Sequence, residues 1–583
     1  MKGAFRNSLI MALAAIVMGC QEKPAHTPQG PRAKVPEILS SHCSQAIGEP
    51  RIERISERVW VALGFDLANV ALIRTEIGDI VVDTAMSTSR AQEIRSAFEK
   101  EIPQLSVHSI IYTHSHIDHV GGAFVWAKDE TEIWATESFS QHLLKQYALF
   151  REAESTRGSM QFGFRVDPES LPCSSIGRRP QLKDLERVGI LFPTHTFSGK
   201  RDLQFGSTEL HLLEAPGETH DQLMVWLPKE RVLLCGDNFY WTFPNLYTLR
   251  GTSPRPVDQW IKSIDLMRRL LPVHLVPGHT SPIHGEEKIQ EVLRNYRDAI
   301  QWVRDEVVRR ANRGEKLEEI AARVELPQHL RENPYIRELY GQVDWSAKAI
   351  YTNNLGWFDG NPANLYPVAP ETVARRELDL MGGVERVMGL AEKALEDSDP
   401  KWAIHLLAKI EQSGLAGGEA KRRVRDLLAA SFQSLAETIS NTNGRAYLLE
   451  SALDIKEGKG ERVRSIPDPR FVERLPLDHI LEIMAVNLVP ERGANTHECL
   501  EFFFPDEGKR FFLTVRFGIA ELSQGEPFPG TPEPVATLEM DSRDFKYMLS
   551  RLESALGLFL RGKIKVHGSW LRAASFLRMF RIE

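Results

Sequence analysis

Four side chains able to bind a metal ion lie within six residues of the sequence: His114, His116, Asp118 and His119. Imidazole and carboxylate groups together suit zinc and related first-row metals. In a loop that follows a strand, alternate side chains can point the same way, so we expect His114 and His116 to hold one ion while Asp118 and His119 face another. The cluster therefore predicts a metal centre that could activate water for hydrolysis.

The elements around this cluster predict how it is held. Residues 107–112 read as a strand directly before it, and Gly121-Gly122 directly after it allows the chain to enter a helix. Other short apolar runs also read as strands: 58–63, 70–75, 79–82, 210–213, 222–227, 232–235 and 274–276. Three of these lead to a further potential ligand: Glu218, Asp237 and His279. Because a rigid sheet can position side chains at its strand ends, we expect the rest of the site to come from there.

Residues 113–122, Thr-His-Ser-His-Ile-Asp-His-Val-Gly-Gly, resemble the metal-binding motif of the metallo-β-lactamase superfamily. The resemblance implies an αββα sandwich with two metals, zinc or other divalent ions, that share and deprotonate a water to give hydroxide as nucleophile or base. The ligands it implies are His114, His116 and Glu218 on one metal, Asp118, His119 and His279 on the other, and Asp237 bridging. Glu218 keeps the Pro-Gly spacing of the superfamily, and His220 is the alternative at this position.

Two further segments resemble the alkylsulfatase branch of that superfamily. Residues 245–251, Asn-Leu-Tyr-Thr-Leu-Arg-Gly, match its Asn-Leu-x-Thr-Leu-Arg-Gly segment, and residues 355–365 match the segment that opens its dimerisation domain. Glu218 fits this branch, whereas Asp237 stands where the branch usually has glutamate. The resemblance implies that Arg250 is a catalytic residue that holds the sulfate group, because its planar fork can bind two oxygens. The other implied substrate contacts are Asn245, Tyr247, Trp345 and Trp357.

One position departs from the alkylsulfatase pattern. The family segment Tyr-Gly-x-x-Ser-His-Asn has a histidine thought to protonate the leaving oxygen, and here residues 340–346 read Tyr-Gly-Gln-Val-Asp-Trp-Ser. Trp345 occupies the place of that histidine and cannot transfer a proton in its stead. Asp344 could serve if burial raised its pKa. Otherwise another acid acts, or the substrate has a better leaving group.

The 583 residues are too many for a single core and predict about three to five domains. The predicted fold is multidomain α/β, with a metallo-β-lactamase-like catalytic domain at 46–335, an all-α alkylsulfatase-type dimerisation domain at 336–460 and a sterol-carrier-protein-like α+β domain at 461–583. Apolar residues recur at helical spacing within 380–456. The last domain shows strands at 499–504 and 511–517, then helical stretches at 544–560 and 570–580. The resemblance implies a homodimer and a C-terminal apolar groove.

The N-terminus has the pattern of a bacterial lipoprotein signal peptide over residues 1–20. Its apolar run, residues 9–18, is too short to span a bilayer and ends in Val-Met-Gly-Cys, which resembles a lipobox. Cys20 would then be lipidated, and cleavage without lipidation is the alternative because Met18 is bulky for the motif. Residues 21–45 are predicted to be a flexible tether. We therefore expect an exported lipoprotein, anchored to a membrane and facing the periplasm or the cell exterior.

Composition limits the partners. Net charge is -7, from 72 basic and 79 acidic side chains, so we expect no nucleic-acid partner. Removing residues 1–19 takes two basic groups and no acidic one, which leaves 70 minus 79, or -9. Five cysteines are too few for a disulfide scaffold, but export would allow a disulfide between Cys43 and Cys173. The sequence leaves that pairing open.

These observations predict a binuclear-metal hydrolase of sulfate esters of alkyl chains, with an amphiphilic anionic small molecule as substrate. Two alternatives stay open. One is a hydrolase of the same fold that acts on another ester or a lactone, motivated by Trp345 and Asp237. The other is a lipid-binding lipoprotein without turnover.

Overall fold

The computed structural model describes residues 32–147, 149–185, 187–460, 466–467 and 469–581. The predicted signal peptide with Cys20, and residues 21–31 of the predicted tether, lie outside the described residues. The chain forms two compact units, the first reaching to residue 466, apart from a short stretch around residue 148, and the second from residue 467 onward. Among the described helices, none is long and apolar enough to cross a membrane.

Two β-sheets form the centre of the first unit. Its strands are β1 Arg51–Arg54, β2 Val59–Leu63, β3 Val70–Thr75, β4 Gly78–Val82, β5 Val107–Ile111, β6 Glu132–Thr136, β7 Arg187–Val188, β8 His195–Phe197, β9 Lys200–Phe205, β10 Thr208–Glu214, β11 Leu223–Leu227, β12 Val232–Gly236, β13 His274–Pro277 and β14 Ile283–His284. One sheet has the order β1-β2-β3-β4-β5-β6-β8, and the other has the order β14-β13-β12-β11-β10-β9. The first sheet contains three parallel pairs, β4 with β5, β5 with β6 and β6 with β8, and the second contains one, β12 with β13.

Helices connect and flank these strands. They are α1 Glu37–His42, α2 Thr88–Glu101, α3 Ile117–Val120, α4 Ala123–Trp126, α5 Phe139–Tyr147, α6 Arg151–Phe162, α7 Val257–Arg269, α8 Glu286–Ala311, α9 Leu317–Arg323, α10 Gln328–Arg331, α11 Val343–Leu355, α12 Pro370–Leu380, α13 Val384–Glu396, α14 Pro400–Ser413, α15 Gly418–Thr438 and α16 Thr442–Glu457.

Strand β11 shows why the two sheets stack. All of its residues are buried. Leu223, Val225 and Leu227 belong to the core between the sheets, whereas Met224 and Trp226 belong to the core on the other side. Because successive side chains of a strand point to opposite faces, a strand that is apolar on both faces needs cover on both.

Helices provide that outer cover. Helices α7 and α8 contribute Trp260, Ile264 and Tyr296 to the core on the second sheet. Helix α2 lies against β1 and β2 of the first sheet, and its Phe98 packs edge-on against Trp126 of α4, with ring centroids 6.3 Å apart. The resulting order of helix, sheet, sheet and helix is the predicted αββα sandwich.

Helices α12 to α16 follow the sandwich and confirm the helical region predicted at 380–456. Their apolar faces meet in a core that includes Leu378, Val387 and Leu406. Helix α16 packs against α6 of the sandwich region. Just after α6, Arg165 Nε donates a hydrogen bond of 2.8 Å to Glu450 Oε2 of α16. The helical region therefore contacts α6 directly.

The prediction of a flexible tether is wrong for residues 32–45. Ala33 is buried, and its carbonyl oxygen accepts a hydrogen bond of 3.1 Å from Arg445 Nη2. The carbonyl oxygen of Lys34 accepts a second one, of 2.9 Å, from the same nitrogen. A buried guanidinium must have its N–H groups paired, so Arg445 holds this segment against α16.

A disulfide joins Cys43 to Cys173, which are 130 positions apart in the sequence. It attaches the end of α1 to the loop that follows α6. Cys235 and Cys499 are buried free thiols. The pairing that the sequence left open is thus present in the structure.

The second unit contains a five-stranded sheet and short helices. The short strand β15 Ile466–Pro467 precedes it, and its own elements are α17 Pro469–Glu473, α18 Leu477–Val486, α19 Pro490–Gly493, β16 His497–Phe504, β17 Lys509–Arg516, β18 Ile519–Gln524, β19 Pro534–Glu539, α20 Ser542–Leu549, α21 Ala555–Leu560, β20 Lys565–Gly568 and α22 Trp570–Leu577. The sheet order is β18-β17-β16-β19-β20, and its core includes Phe502, Phe511 and Phe576.

The single helical stretch predicted at 544–560 is wrong, because the chain breaks it into α20 and α21. Arg551 has a φ of 61°, which an α-helix cannot contain. Ser554 then begins α21 by accepting a hydrogen bond from the backbone N–H of Gly557.

Candidate active site

Six of the seven predicted ligands lie in two buried groups. One is His114, His116 and Asp237, the other is Asp118, His119 and His279, and within each group the potential ligand atoms lie within 4.8 Å of one another. Asp237 joins the two groups. Its Oδ2 lies 3.7 Å from His114 Nε2 and 3.1 Å from His279 Nε2. This is the position that a bridging ligand would occupy.

The strands explain why these residues meet. His114 and His116 follow β5, Asp237 follows β12, and His279 follows β13. β5 is parallel to β4, and β12 is parallel to β13, so the carboxyl ends of each pair lie at one edge of their sheet. Helix α3 begins directly after the loop and carries Asp118 and His119. The ligand groups are therefore built on rigid strand ends.

Two imidazoles are held through the ring nitrogen that faces away from the ligand groups. His119 Nδ1 lies 2.7 Å from Asp83 Oδ2, and His279 Nδ1 lies 2.7 Å from the carbonyl oxygen of Leu67. Each contact fixes the ring and leaves Nε2 as the ligand atom. Asp83 also accepts hydrogen bonds from Thr113 N and Thr113 Oγ1, at 2.8 and 2.9 Å. Sequence reasoning missed Asp83, whose signal is an acidic residue at the end of the strand beside β5.

The electrostatics of the site fit bound cations. Burial opposes ionisation of Asp237, but the surrounding imidazoles hold the pKa of its carboxyl well below the usual value. Burial opposes protonation of His119, but the three carboxylates around it raise its pKa well above the usual value. In the described part of the chain, His119 Nε2 and Asp237 Oδ1 are buried without a hydrogen-bond partner. The buried carboxylates of Asp83, Asp118 and Asp237, together with these unpaired ligand atoms, suit divalent metals.

Glu218 lies beside the two groups and belongs to neither of them. Its Oε1 pairs with Arg255 Nη1 at 2.6 Å, and its Oε2 accepts a hydrogen bond of 3.1 Å from Tyr240 OH. Burial raises the pKa of the Glu218 carboxyl. His220, the alternative ligand, also lies outside both groups, with Nε2 3.0 Å from the carbonyl oxygen of Pro254. Both side chains instead line a cavity next to the ligand groups.

Gly278 lets the backbone pass close to both ligand groups. A Cβ at this position would lie 2.5 Å from Asp237 Oδ1 and 3.1 Å from His119 Cε1. Any side chain here would therefore displace ligand atoms of both groups. The glycine of the predicted Pro-Gly-His segment is required for the packing of the site rather than for a turn.

The cavity has a volume of about 380 Å³ and contains Arg250 in its wall. Arg250 Nη2 lies 3.1 Å from His116 Nε2, so the guanidinium adjoins the first ligand group. Lys145 and Arg157 add positive charge to the lining, whereas Glu154 adds a carboxyl. Positive groups beside a candidate metal site favour an anionic ligand.

Helix α6 holds the loop that contains Thr248 and Arg250. Gln161 is buried, and its Oε1 accepts hydrogen bonds from Arg250 N at 2.7 Å and from Thr248 Oγ1 at 2.9 Å. Glu154 and Arg157 precede it by seven and four residues, so all three lie along one face of the helix. Sequence reasoning missed these residues because they form no recognisable motif and Gln161 meets Arg250 across 89 positions of the chain.

Three family models match successive parts of the chain. The metallo-beta-lactamase superfamily model matches residues 63–279, the alkyl sulfatase dimerisation model matches residues 316–458, and the alkyl sulfatase C-terminal model matches residues 465–582. These matches follow the order of the sandwich, the helical region and the second unit.

A linear primary-alkylsulfatase from Pseudomonas sp. is 32% identical over 530 residues, which are 88% of this chain and 98% of that relative. This chain belongs to the alkylsulfatase branch of the metallo-β-lactamase superfamily. The alkyl/aryl-sulfatase BDS1 of Saccharomyces cerevisiae is 26% identical over 542 residues, covering 90% of this chain and 82% of the relative. The solved structure of the stereoselective inverting sec-alkylsulfatase Pisa1 from Pseudomonas sp. has the same fold, with a TM-score of 0.85 at 22% identity over 98% of this chain and 89% of that one.

Of the predicted substrate residues in this member of the alkylsulfatase branch, some lie in the cavity wall and others lie outside it. Arg250 lines the cavity, whereas Asn245 is buried beside it, and its backbone N–H donates to Tyr240 OH at 2.7 Å. Tyr247 OH lies 3.5 Å from Nη2 of the cavity residue Arg157. Among the residues that the structure describes, Asn245 and Tyr247 thus adjoin the cavity without forming its wall.

The two predicted tryptophans lie away from the cavity wall in the described chain. The ring of Trp345 packs against Gly444, where an added Cβ would lie 3.2 Å from it, and this contact is with the first turn of α16. Trp357 is 73% exposed, and its ring packs on Phe358. Neither side chain lines the cavity in the described chain, because the first faces another helix and the second faces solvent.

Asp344, the acid considered in place of the family histidine, is bound locally. Its Oδ1 accepts hydrogen bonds from Trp345 N at 2.9 Å and from Gln342 Nε2 at 2.8 Å. It lies in the first turn of α11, where the helix dipole favours a carboxylate. The position is that of a residue stabilising a helix start, and Asp344 is not part of the cavity wall.

Proposed function

We propose that this protein hydrolyses sulfate monoesters of alkyl chains with divalent metals held by its two ligand groups. The observation that carries this proposal is the position of Arg250, which lines the cavity and lies 3.1 Å from His116. A guanidinium can bind two sulfate oxygens at once, which would place the ester beside the ligand groups. The similarity to a linear primary-alkylsulfatase over 98% of that relative supports an alkyl sulfate as substrate.

Two zinc ions are the metals that we propose, because buried imidazoles and carboxylates are typical zinc ligands. Bound divalent metals would acidify water to supply a nucleophile near neutral pH and would polarise the ester. The chain itself orients the reactants. Asp83 and the carbonyl oxygen of Leu67 fix two of the imidazoles, and Gln161 fixes the backbone of Arg250.

The cavity lining supports an amphiphilic substrate. Phe150, Ala153 and Pro254 contribute apolar surface to the same cavity that contains Arg250. Apolar surface beside a guanidinium suits a ligand with a charged head and a hydrocarbon chain. This arrangement agrees with a sulfate group held inside and a chain that leaves along the apolar side.

Release of inorganic sulfate from dodecyl sulfate by metal-loaded protein tests this function. We expect Arg250→Ala to lower kcat/KM by about 100-fold or more, which is typical for loss of one charged hydrogen-bond donor to the reacting group. Arg151→Ala, on the exposed start of α6, is the matched control and should act as the wild type. Turnover that does not depend on Arg250 would refute the assigned role. Hydrolysis of a carboxylic ester or a lactone without sulfate release would instead identify the other hydrolase class.

We also propose that the protein is exported and anchored through Cys20. The disulfide between Cys43 and Cys173 supports export, because disulfides persist in oxidising compartments. Expression in a bacterium with a labelled fatty acid tests it. The wild type should carry the label and sediment with membranes, and Cys20→Ser should do neither. An unlabelled wild type in the soluble fraction would contradict lipidation.

The match of residues 316–458 to the alkyl sulfatase dimerisation model supports a homodimer, which we propose as the working form. Light scattering during gel filtration should give twice the mass of one chain. A single-chain mass at micromolar concentration would contradict this.

A further inference from the structure

Glu154 is an acidic side chain that faces the anion cavity from helix α6. Its Oε2 lies 4.0 Å from Arg250 Nη1, and the side chain is 19% exposed. Gln161, on the same face of the helix, binds the backbone of Arg250, so the carboxyl and the guanidinium are held against each other by one element. A carboxylate at this distance would compete with a substrate anion for Arg250.

The other charged and titratable groups around the cavity come from three elements. Arg157 is on the same helix, His142 and Lys145 are on α5, and the loop after β10 carries Glu218, His220 and Asp221. Burial raises the pKa of the Glu154 carboxyl to about 7, although Arg250 and Arg157 act in the opposite direction. Near neutral pH, Glu154 is therefore divided between its neutral and its ionised form.

We propose that neutral Glu154 donates a hydrogen bond to the same anion that Arg250 binds, and that ionised Glu154 excludes this anion. The inference rests on the proposed function, since the anion is the sulfate group of the ester. A sulfate monoester has only acceptor oxygens and keeps one negative charge over the whole pH range of interest. A carboxylic acid and a guanidinium both supply donors to it, whereas a carboxylate supplies only acceptors and a repelling charge.

The inference predicts a pH dependence in substrate affinity. As pH rises through the pKa of about 7, Glu154 loses its proton, so the fraction of protein able to bind the anion falls, and well above pH 7 it falls about tenfold per pH unit. Between pH 6 and pH 8.5 we expect KM for a soluble alkyl sulfate to rise by about 30-fold. The Kd of hexanesulfonate, a non-hydrolysable analogue with the same head-group charge, should rise in parallel.

Two variants separate charge from hydrogen bonding. Glu154→Gln keeps an N–H donor and removes the charge, so its KM and its Kd for hexanesulfonate should be low and constant from pH 6 to pH 8.5. Glu154→Leu removes the donor as well. Its KM and its Kd should therefore be about tenfold higher than those of Glu154→Gln at every pH, and they should not vary with pH. Glu152→Gln, an exposed position on the same helix, is the matched control and should keep the wild-type rise.

The measurements use the full, metal-loaded chain, with calorimetric binding of hexanesulfonate beside the kinetics. The inference is supported if KM and Kd do not change with pH in Glu154→Gln and rise as in the wild type in Glu152→Gln. A Glu154→Gln variant that keeps the rise above pH 7, or that fails to bind hexanesulfonate at pH 6, overturns it. Failure of the proposed function looks different, because the wild type would then release no sulfate or would not depend on Arg250.

Discussion

Replacing Asp83 with asparagine tests how the second ligand group is oriented. Asp83 faces three donors, namely His119 Nδ1, Thr113 N and Thr113 Oγ1. Its φ of 62° lies in the left-handed region, which asparagine tolerates better than alanine does. The Asp83→Asn substitution therefore changes the hydrogen-bond chemistry with little change in backbone strain.

The size of the effect follows from these contacts. An asparagine presents one acceptor and one donor group, so at least one of the two N–H donors is left unpaired. The Thr113 hydroxyl can turn to accept, but the backbone N–H of Thr113 and the ring N–H of His119 cannot. One unpaired buried donor costs about 1–3 kcal/mol. The amide orientation that satisfies Thr113 N leaves the His119 ring unsupported, and loss of such support typically lowers metal affinity by about 10–100-fold.

Zinc affinity measured by chelator competition checks this prediction. We expect Asp83→Asn to weaken one zinc site by about 10–100-fold and to change the other by much less. Asp79→Asn is the matched control, because Asp79 is a buried carboxylate on β4, the strand that Asp83 follows, and it pairs with Ser106 N and Arg74 Nε away from the ligands. A folded Asp83→Asn protein that binds both ions as the wild type does would refute the reasoning. Equal loss of affinity in Asp79→Asn would refute it as well.

Two further predictions follow from the packing. Gly278→Ala would place a Cβ 2.5 Å from Asp237 Oδ1, so we expect at least about 100-fold lower kcat with metal present, and wild-type kcat in this variant would contradict the close approach. Replacing Cys43 and Cys173 with serine opens a loop of 130 positions, which on chain-entropy grounds lowers the free energy of unfolding by about 5 kcal/mol. Urea denaturation measures the second effect, and an unchanged midpoint would contradict it.

Much of the candidate site could be predicted from local sequence patterns. His114, His116, Asp118 and His119 are close in sequence and follow an apolar strand, so both their chemistry and their support are visible in a few residues. Asp237 and His279 follow later strands in the same way. The strands were predictable for a related reason, because short apolar runs between turn residues are themselves a local signal, whereas the sandwich was implied by the family resemblance of residues 113–122.

Other features depend on contacts between distant parts of the chain. Arg255 pairs with Glu218 across 37 positions, and Gln161 reaches Arg250 across 89, so no local pattern announces either contact. The described part of the predicted tether failed for the same reason. The Pro- and Gly-rich composition of residues 21–35 indicates flexibility, but Arg445, more than 400 positions later, binds the carbonyl oxygens of Ala33 and Lys34.

The net charge of the protein repels an anionic substrate, whereas the positive groups in the cavity wall attract it. The whole chain carries -7, which repels an anionic ester at long range, although salt screens this repulsion within about 8 Å. In the cavity wall, Glu218 is paired with Arg255, so its charge is offset within the protein. A neutral Glu154 removes the negative charge that otherwise lies 4.0 Å from Arg250 Nη1. We therefore infer that the local charges of the cavity, with the protonation of Glu154 among them, set the attraction for an anion more than the net charge does.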